Sequence, residues 1–511
     1  MADKFLHGVE VLEIDTGPRP VRSVRSGVIG LIGTAPDAAN ATPASLALGR
    51  AATDTALTLT AVAAGVAGNA ITVALVDPVA SSAALAVTVA GRAITVALAT
   101  DASGALTSTA GEVAAALGAS PEAAALITAT HGAGSDGSGV MRATGAAQAL
   151  SGGAAEPFPL NTPVLIAGNR GAAAGLDTTG AGAGTLPAAL DGIFDQIGAV
   201  VIVVRVAEGA DEAETLANII GGVDAGTGQF EGVHALAGAE SVTGFAPRIL
   251  CAPGWTHQRP DGGANPVVAE LLGLAERMRA VIIADGPNTT DAAAIAWRED
   301  WGSDRIFVID PWVTVYAADG TTRAEPASAR VAGMIARSDN DRGFWHSPSN
   351  QVMNGITGTA RAVDFKLGDA NARANLLNEQ EVATIIRQDG YRLWGNRSTA
   401  ADPKWAFLSV RRTADIINES LQRAHLWAVD RNITRTYVED VTEGVNAYLR
   451  DLVSLGAILG GTCWPDPDLN SAANIAQGKV FFNFDFTPPY PAEHITFRSH
   501  LVNTYISEVF A

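Results

Sequence analysis

The sequence predicts a multidomain protein of the α/β class with α+β portions, on three observations. Its 511 residues are enough for about three domains of ordinary size. Hydrophobic residues make up 48% of the chain and charged residues 17%, so apolar surface suffices for several packed cores. Short apolar segments alternate with amphipathic segments over residues 157 to 325. This alternation indicates an α/β layer with at least partly parallel strands.

The first 20 residues predict an N-terminal arm. Val9, Val11 and Ile14 belong to a strand-like segment over residues 8 to 14. The sequence Pro18-Arg19-Pro20 follows as a stiff spacer of the polyproline II type. The chain therefore begins with a strand on a tether.

Residues 41 to 155 differ from the rest of the chain in composition. The chain contains 9 Trp, 6 Tyr and 15 Phe, yet none of them lies between Leu6 and Pro157. Two similar strings, residues 68 to 77 and 91 to 100, carry Ile, Val and Leu at alternate positions and predict strands. A core without aromatic side chains is built from small aliphatic ones. We therefore expect an inserted, peripheral β-plus-helix module of modest stability.

Turn and capping residues predict further elements of this module. Residues 85 to 89 predict a further strand that ends in a hairpin turn at Gly91. Thr109 and Glu112 have the spacing of a capping box and predict a helix start, and Ser120-Pro121 predicts another.

Residues 21 to 40 and 156 to 325 predict a middle domain of α/β type. Its predicted strands and helices cover residues 164–167, 187–197, 199–204, 248–251, 267–278, 280–284, 291–297 and 305–309. Asp285 and Asp310 each end an apolar strand, where open α/β sheets bind ligands. This placement keeps open an alternative, an α/β enzyme or small-molecule-binding protein using the 157 to 325 region. Capping or turn roles fit both residues better.

Residues 326 to 493 predict a third domain. We expect a helix over about 327 to 337, a strand over 404 to 410, and a long helix that contains Arg411-Arg412 and runs through Trp427. The two arginines are expected to pair with nearby carboxylates.

A further helix over about 432 to 455 is amphipathic. Its apolar face carries Ile433, Tyr437, Val441, Val445, Tyr448 and Leu452. Its opposite face carries Arg435, Glu439, Glu443, Asn446 and Arg450, and such a face is usually solvated.

The last predicted strand of this domain leads into a C-terminal arm, residues 494 to 511. Val480, Phe482 and Phe484 lie at alternate positions in the strand, and the sequence Pro488-Pro-Tyr-Pro491 ends it. The arm then repeats a strand pattern, with Ile495, Phe497 and Leu501 on one face.

Two interpretations of the terminal strands remain open. Both strands could be edge strands of the chain's own sheet. Alternatively, each could add to the sheet of a neighbouring copy, where main-chain hydrogen bonds provide affinity and the apolar face sets the register. If each copy gives strands to different neighbours, the contacts are heterologous and build rings or helical filaments.

Charge and motif content exclude several classes of function. A formal net charge of −19 argues against nucleic-acid binding through phosphate neutralisation. Cys251 and Cys463 are the only cysteines and lie far apart, which fits synthesis in a reducing compartment. No signal sequence and no membrane-spanning segment is visible, so we expect folding in the cytoplasm and no direct membrane insertion. No nucleotide-binding or metal-binding motif stands in a supporting context, so no catalytic residue, cofactor or metal is predicted.

Several strings occur in an order that resembles a known family. They are HGVEVLEIDTGPRPV (residues 7–21), GVIGLIG (27–33), PASARVAGMIAR (326–337), GFWHSPSN (343–350), LLN (376–378), GYRLWGNR (390–397), the Arg411-Arg412 helix and PPYPAEHI (488–495). Together they resemble contractile-tail sheath proteins of myophages and R-type bacteriocins. The resemblance spans nearly all of the chain except residues 41 to 155, which interrupt it after Asn40.

The resemblance implies a fold and a function. It implies an inner domain from the N-terminal segment and the C-terminal third, an outer domain from the middle, and hexameric rings that stack helically around a tail tube. Terminal arms would join adjacent subunits by strand exchange, through Val9, Val11, Ile14, Ile495, Phe497, Leu501, Val480, Phe482 and Phe484. Arg435, Glu439, Glu443 and Arg450 are candidates for contact with the tube.

The sequence therefore predicts a structural subunit of a contractile tail sheath, not an enzyme. Its expected partners are other copies of itself, the tail tube protein, and baseplate and tail terminator proteins. Its expected location is the virion tail, after assembly in the host bacterial cytoplasm. A secreted surface-array protein or adhesin is disfavoured because no signal sequence is visible.

Overall fold

The computed structural model describes residues 21 to 317 and 320 to 510. The chain divides into two compact units, one formed by the segments up to Pro36 and from Leu160 onward, the other by Asp37–Pro159. The predicted N-terminal arm, with Val9, Val11 and Ile14, lies outside the described residues. The first described strand is β1 (Val28–Thr34), which is buried along its whole length.

The Asp37–Pro159 unit contains two small sheets and two helices. Its elements are β2 (Pro43–Leu48), β3 (Leu57–Ala64), β4 (Thr72–Val76), β5 (Ala86–Ala90), β6 (Ala93–Ala97), α1 (Ala110–Ala119), α2 (Pro121–Ala124), β7 (Ile127–His131) and β8 (Gln148–Ala149). One sheet has the order β2-β3-β7 and the other β5-β6-β4-β8. The two similar sequence strings form β4 and β6, which pair in parallel.

The core of this unit follows from its composition. It consists of buried Ala, Val, Leu, Ile and Met side chains, without an aromatic ring. The capping box at the start of α1 is present, since Glu112 N–H donates to Thr109 Oγ1 at 3.2 Å and the Thr109 N–H donates to the Glu112 carboxylate at 2.9 Å. Gly91 turns the β5–β6 hairpin at φ 62°, where a Cβ would be strained.

The larger unit begins with β1 and continues after the small one. Its next elements are β9 (Val164–Ala167), α3 (Arg170–Ala173), α4 (Leu186–Phe194), β10 (Val200–Val206), α5 (Glu212–Ile220), β11 (Gly222–Val223), β12 (Phe230–Glu231), α6 (Ala239–Thr243), β13 (Ile249–Cys251), α7 (Pro266–Met278), β14 (Val281–Asp285), α8 (Asp291–Glu299), β15 (Ile306–Ile309), β16 (Val313–Tyr316), β17 (Thr322–Glu325) and α9 (Ser328–Arg342). Strands β9, β10, β13, β14 and β15 and helices α7 and α8 lie within two residues of predicted elements, whereas α4 ends three residues before the predicted 197 and α9 continues to Arg342, beyond the predicted 337.

A six-stranded sheet of order β15-β14-β13-β1-β10-β9 forms the centre of this unit. All its strands are parallel except β9, which pairs antiparallel with β10. The inner strands are buried on both faces, as parallel strands covered by helices must be. Helices α7 and α8 contribute to the apolar cluster on one face. Helix α9 contacts β1, β13, β14 and α4.

The remaining elements of the larger unit follow α9. They are β18 (Gly358–Thr359), α10 (Arg373–Glu379), β19 (Thr384–Arg387), β20 (Tyr391–Trp394), α11 (Leu408–Ala424), α12 (Arg435–Ser454), β21 (Gly460–Pro465), α13 (Ala472–Ala476) and β22 (Phe482–Thr487). Short 3-10 segments cover Ala51–Thr53, Val66–Ala70, Ala174–Leu176, Gly232–Gly238, Pro260–Gly262, Pro403–Trp405, Leu426–Ala428 and Thr504–Phe510.

The predicted strand over residues 404 to 410 is wrong. Pro403–Trp405 forms a 3-10 turn, and α11 already begins at Leu408. The apolar residues that suggested a strand are the first buried turn of this helix, because a short apolar run fits both structures.

Helices α11 and α12 and the β21–β22 hairpin share one apolar core. Buried side chains of both helices meet in it, with Phe482, Phe484 and Phe486 of β22 packed against its edge. The hairpin is a separate two-stranded sheet. A sheet this small depends on packing against other elements for its stability.

Candidate assembly interface

Among the residues that the structure describes, the C-terminal tail leaves the body of the protein without pairing with any strand. After β22 the chain passes through the proline cluster, and Glu493 is held by Arg397 at 2.7 Å. From His494 to Asn503 it forms no strand and pairs with no strand among the described residues. The side chains of Ile495, Phe497 and Leu501 are 66%, 92% and 99% exposed.

This finding bears on one of the two interpretations of the tail. As an edge strand of its own sheet, the tail would bury the apolar face that Phe497 and Leu501 carry. Within the residues that the structure describes, that interpretation is wrong for the tail. Val9, Val11 and Ile14 lie outside the described residues, so the two interpretations of the N-terminal strand both stay open.

The β21–β22 hairpin precedes the tail in sequence and is a sheet of only two strands. Its strands pair antiparallel, and Phe482 and Phe484 are half-buried against the helical core. Val480 precedes β22 and belongs to no strand, so its predicted place in the strand is wrong. Gly478, at φ 75°, lies in a turn two residues before Val480, and the strand begins only at Phe482.

The charged face of α12 is exposed, as predicted. Arg435 pairs with Glu439 at 2.8 Å, with side chains 92% and 58% exposed. Arg450 lies 3.5 Å from Glu443, with side chains 66% and 63% exposed. Ion pairs this exposed contribute little to stability, because solvent screens them.

Asn446 does not belong to that solvated face. Its side-chain amide is partly buried and forms two hydrogen bonds with the main chain of Cys463 in β21. The sequence offered one signal for this, a polar residue beside the buried positions Val445 and Tyr448. The strand that receives the bonds could not be identified from the sequence.

Helix α11 carries a series of charges that pair with the rest of the larger unit. Arg412 and Asp339 are both 4% exposed and bind each other through two hydrogen bonds. Arg411 pairs with Asp304 at 3.2 Å and lies over the ring of Trp405, 4.3 Å from its centre. The prediction that both arginines pair with carboxylates is confirmed.

Two acidic residues of α11 are paired with arginines as well. Asp415 accepts hydrogen bonds from Arg305 at 2.7 and 3.1 Å. Glu419 accepts one from Arg248 at 2.9 Å. These buried and half-buried pairs fix the orientation of α11 against the α/β sheet, since each bond is directional.

Asp285 and Asp310, the candidates for hidden chemistry, have structural partners. The Asp285 carboxylate accepts hydrogen bonds from Ser328 N–H at 2.8 Å and from Ser328 Oγ at 2.5 Å, at the start of α9. Burial raises the pKa of Asp285 to about 6. Asp310 pairs with Arg361 and accepts from Asn288 N–H at 2.7 Å, and burial raises its pKa.

Asp285 and Asp310 line neither of two surface cavities among the described residues. One surface cavity of about 520 Å³ lies around Trp301 and Trp405, and another of about 290 Å³ lies beside the β19–β20 hairpin. Among the described residues, no cluster of three metal-ligating side chains occurs, and no helix has the length and apolar content of a membrane span. Cys251 and Cys463 are free thiols, both buried.

Comparison with known proteins gives the family. The model of the phage tail sheath protein central domain matches residues 228–399, and the model of the phage tail sheath C-terminal domain matches residues 400–501. A prophage major tail sheath protein of Pseudomonas aeruginosa strain UCBPP-PA14 is 46% identical over 68% of this chain and 88% of its own length. The tail sheath protein of Escherichia phage P2 is 36% identical, over 70% of this chain and 89% of its own. The chain belongs to the phage tail sheath protein family.

One further relative supports this membership, and two solved structures share the fold. The tail sheath protein of Burkholderia phage BcepMu is 33% identical over 99% of this chain and 98% of its own length. The contracted helical sheath of the anti-feeding prophage covers 67% of this chain and 88% of its own, with a TM-score of 0.53 and 21% identity. The contracted sheath of an extracellular contractile injection system covers 68% and 89%, with a TM-score of 0.51 and 16% identity. The two solved structures show that the fold is that of sheath proteins.

Membership in the sheath family confirms the predicted function. The chain is a structural protein of a contractile tail sheath, part of the virion tail, and not an enzyme. The fold is mixed α/β with several sheets, as predicted at that level. The finer division into inner and outer domains stays a prediction.

Proposed function

We propose that copies of this sheath protein polymerise around a tail tube by lending their terminal strands to neighbouring copies. The observation that carries this proposal is the C-terminal tail, whose apolar residues Phe497 and Leu501 are almost fully exposed in the isolated chain. Strand addition requires an exposed segment with a strand pattern and a sheet with an unpaired edge, and the chain supplies both. The N-terminal residues Val9, Val11 and Ile14 are proposed to act in the same way.

Repetition supplies the strength of such a lattice. Each main-chain hydrogen bond contributes about 0.5 to 1.5 kcal/mol net, so one added strand binds weakly. When every copy gives a strand and receives one, the contacts act together and the avidity rises. Giving and receiving surfaces differ, so the contact is heterologous and propagates into hexameric rings stacked helically.

The contraction step is proposed to be a change of lattice between near-rigid subunits. Apolar surface buried between outer domains would release the free energy that drives the tube through the target cell envelope, without nucleotide. The paired charges of α11 support rigid movement, because turning this helix away from the α/β sheet would leave Arg412 and Asp339 buried and unpaired. The terminal strands would keep neighbours connected during the change.

The other partners are assigned by position. The exposed charges Arg435, Glu439, Glu443 and Arg450 of α12 are our candidates for contact with the tube protein. Baseplate and tail terminator proteins would meet the two ends of the assembled sheath. Residues 21 to 40 with 156 to 325 are proposed as the outer domain, residues 326 to 493 as the inner domain, and residues 41 to 155 as a peripheral insertion.

Deletion of residues 494 to 511 tests the proposal. We expect a folded subunit with an unchanged melting temperature that forms no sheaths in negative-stain electron microscopy. Deletion of residues 1 to 17 should give the same result. Sheaths of normal appearance from either shortened chain would contradict strand exchange through that terminus.

A further inference from the structure

The two edges of the β21–β22 hairpin differ chemically. Along a strand, main-chain groups point alternately toward the paired strand and away from it. Thr462 N–H donates to the carboxylate of Asp485 at 2.8 Å, and Asp466 N–H donates to the carbonyl of Phe481 at 3.0 Å. The main-chain N–H and C=O groups of even-numbered β21 residues therefore point toward β22, and those of Cys463 point toward the outer edge.

Asn446 occupies that outer edge. Cys463 N–H donates to Asn446 Oδ1 at 2.7 Å, and Asn446 Nδ2 donates to the carbonyl of Cys463 at 3.0 Å. These are the same two bonds that a residue of an added strand would make with Cys463. Because Asn446 is fixed on α12 between the buried residues Val445 and Tyr448, the helix blocks this edge of the sheet.

The outer edge of β22 is open by comparison. By the same alternation, Phe482, Phe484 and Phe486 present their main-chain groups away from β21. Among the described residues no further strand pairs with β22. Their side chains lie half-buried along the core of α11 and α12, so a strand added here would extend an existing apolar layer.

We propose that Asn446, by holding α12 against β21, makes the hairpin one-sided, so that each copy accepts the C-terminal tail of a second copy only along β22. This inference rests on the proposed strand exchange and specifies its receiving edge. The tail fits this edge because Ile495 and Phe497 would continue the phenylalanine layer while Thr496 and Arg498 face solvent.

One-sidedness has a consequence for the lattice. A hairpin with two open edges could accept a strand on either side, and copies could then join in more than one arrangement. Proteins block unused sheet edges to prevent such pairing. A single receiving edge for the tail gives one heterologous tail contact per copy, which repeats with a fixed geometry.

Disulfide trapping in assembled sheaths tests the receiving edge. Asp485 of β22 and Thr462 of β21 are exposed and lie opposite each other on the hairpin. Asp485→Cys or Thr462→Cys is combined in turn with His494→Cys, Thr496→Cys, Arg498→Cys or His500→Cys in the full-length chain. A strand beside β22 lies about 4.8 Å from it and about 9.6 Å from β21, beyond the ~7 Å that a disulfide spans between Cα atoms.

We expect covalently linked copies with Asp485→Cys for at least one tail position, and none with Thr462→Cys. The natural cysteines are buried and do not compete. Equal linkage through Thr462→Cys would overturn the proposed edge. Sheaths that form with linkage through neither position would contradict strand exchange itself, which is a different outcome from a wrong edge.

Asn446→Ala tests the blocking residue, with Asn470→Ala as the matched control. Asn470 also bonds a main-chain N–H and carbonyl, those of Phe481, but inside the hairpin loop. We expect Asn446→Ala to make Thr462→Cys linkable to the tail and to yield irregular assemblies. Asn470→Ala should leave the linkage pattern unchanged.

A folded Asn446→Ala subunit that forms regular sheaths with Thr462→Cys still unlinked would overturn the role of Asn446. If this variant does not fold, as judged by circular dichroism, the linkage pattern in the natural background still decides which edge receives the tail.

Discussion

The six-stranded sheet and the β21–β22 hairpin belong to the same unit but differ in how far the chain itself covers and pairs their strands. Strands β1, β10 and β14 are covered on both faces by the chain's own helices. The hairpin has two strands, one edge occupied by Asn446 and one edge without a partner among the described residues. Comparing them shows where folding within one chain stops and assembly between chains begins.

The largest effect is expected from a charge placed on the tail. Phe497→Asp should abolish sheath formation, because a carboxylate would have to be buried against the phenylalanines of β22. The melting temperature of the subunit should not change, since Phe497 is 92% exposed there. Thr496→Asp, on the other face of the tail, is the control and should still assemble. Electron microscopy measures sheath formation and circular dichroism measures the melting temperature. A Phe497→Asp variant that assembles normally would contradict the view that the hairpin, unlike the six-stranded sheet, is completed by another copy.

The next effect concerns the ion pairs that close the larger unit. Arg412→Ala should lower the free energy of unfolding by about 3 to 5 kcal/mol, because it leaves the buried carboxylate of Asp339 without its partner. Arg435→Ala removes an exposed pair and should leave the free energy of unfolding almost unchanged. Chemical denaturation of both variants makes the comparison. Similar losses would show that α11 is not anchored to the sheet through this pair.

Asp285 gives a smaller effect, confined to a range of pH. Burial raises its pKa to about 6, above the ordinary value of about 3.9, so the native state holds its proton more tightly than the unfolded state. Its contribution to stability is therefore complete below about pH 4 and is lost as the pH rises through 6.

The stability of the natural protein relative to Asp285→Asn should accordingly fall by roughly 3 kcal/mol between pH 4 and pH 7. Denaturation curves of the two proteins across this range provide the measurement. A difference that stays constant with pH would contradict a buried, titrating Asp285.

The smallest effect on assembly is expected from the inserted unit. Deleting residues 41 to 155 and joining the flanks should leave sheath formation intact, because Asp37–Pro159 has its own apolar core. Relatives from Pseudomonas aeruginosa and phage P2 match 68% and 70% of this chain, whereas that from phage BcepMu matches 99%. Assembly is measured by electron microscopy. A deletion variant that fails to fold would show that the insertion is part of the main body.

Much of the fold could be predicted from local sequence signals. Strands such as β4, β6 and β9 follow from alternation or apolar runs, and the start of α1 follows from the reciprocal hydrogen bonds of Thr109 and Glu112. The start of α11 could not be predicted, because Leu408 and Val410 fit a buried helix turn as well as a strand.

The interface could be predicted only in part. The exposed apolar tail is visible in the sequence as a strand pattern beyond the proline cluster. The open edge of β22 is not, because it depends on Asn446 meeting Cys463, 17 positions away in the sequence, and on the phase of the hairpin hydrogen bonds. Such contacts are set by tertiary packing, which no local pattern encodes.

An electron cryomicroscopy structure of the assembled sheath tests the central claim most directly. We expect residues 494 to 501 of one copy to lie along β22 of another, with Ile495 and Phe497 packed against the phenylalanines of that strand. A sheath in which each tail folds back onto its own subunit, with adjacent copies joined by other surfaces, would contradict the account.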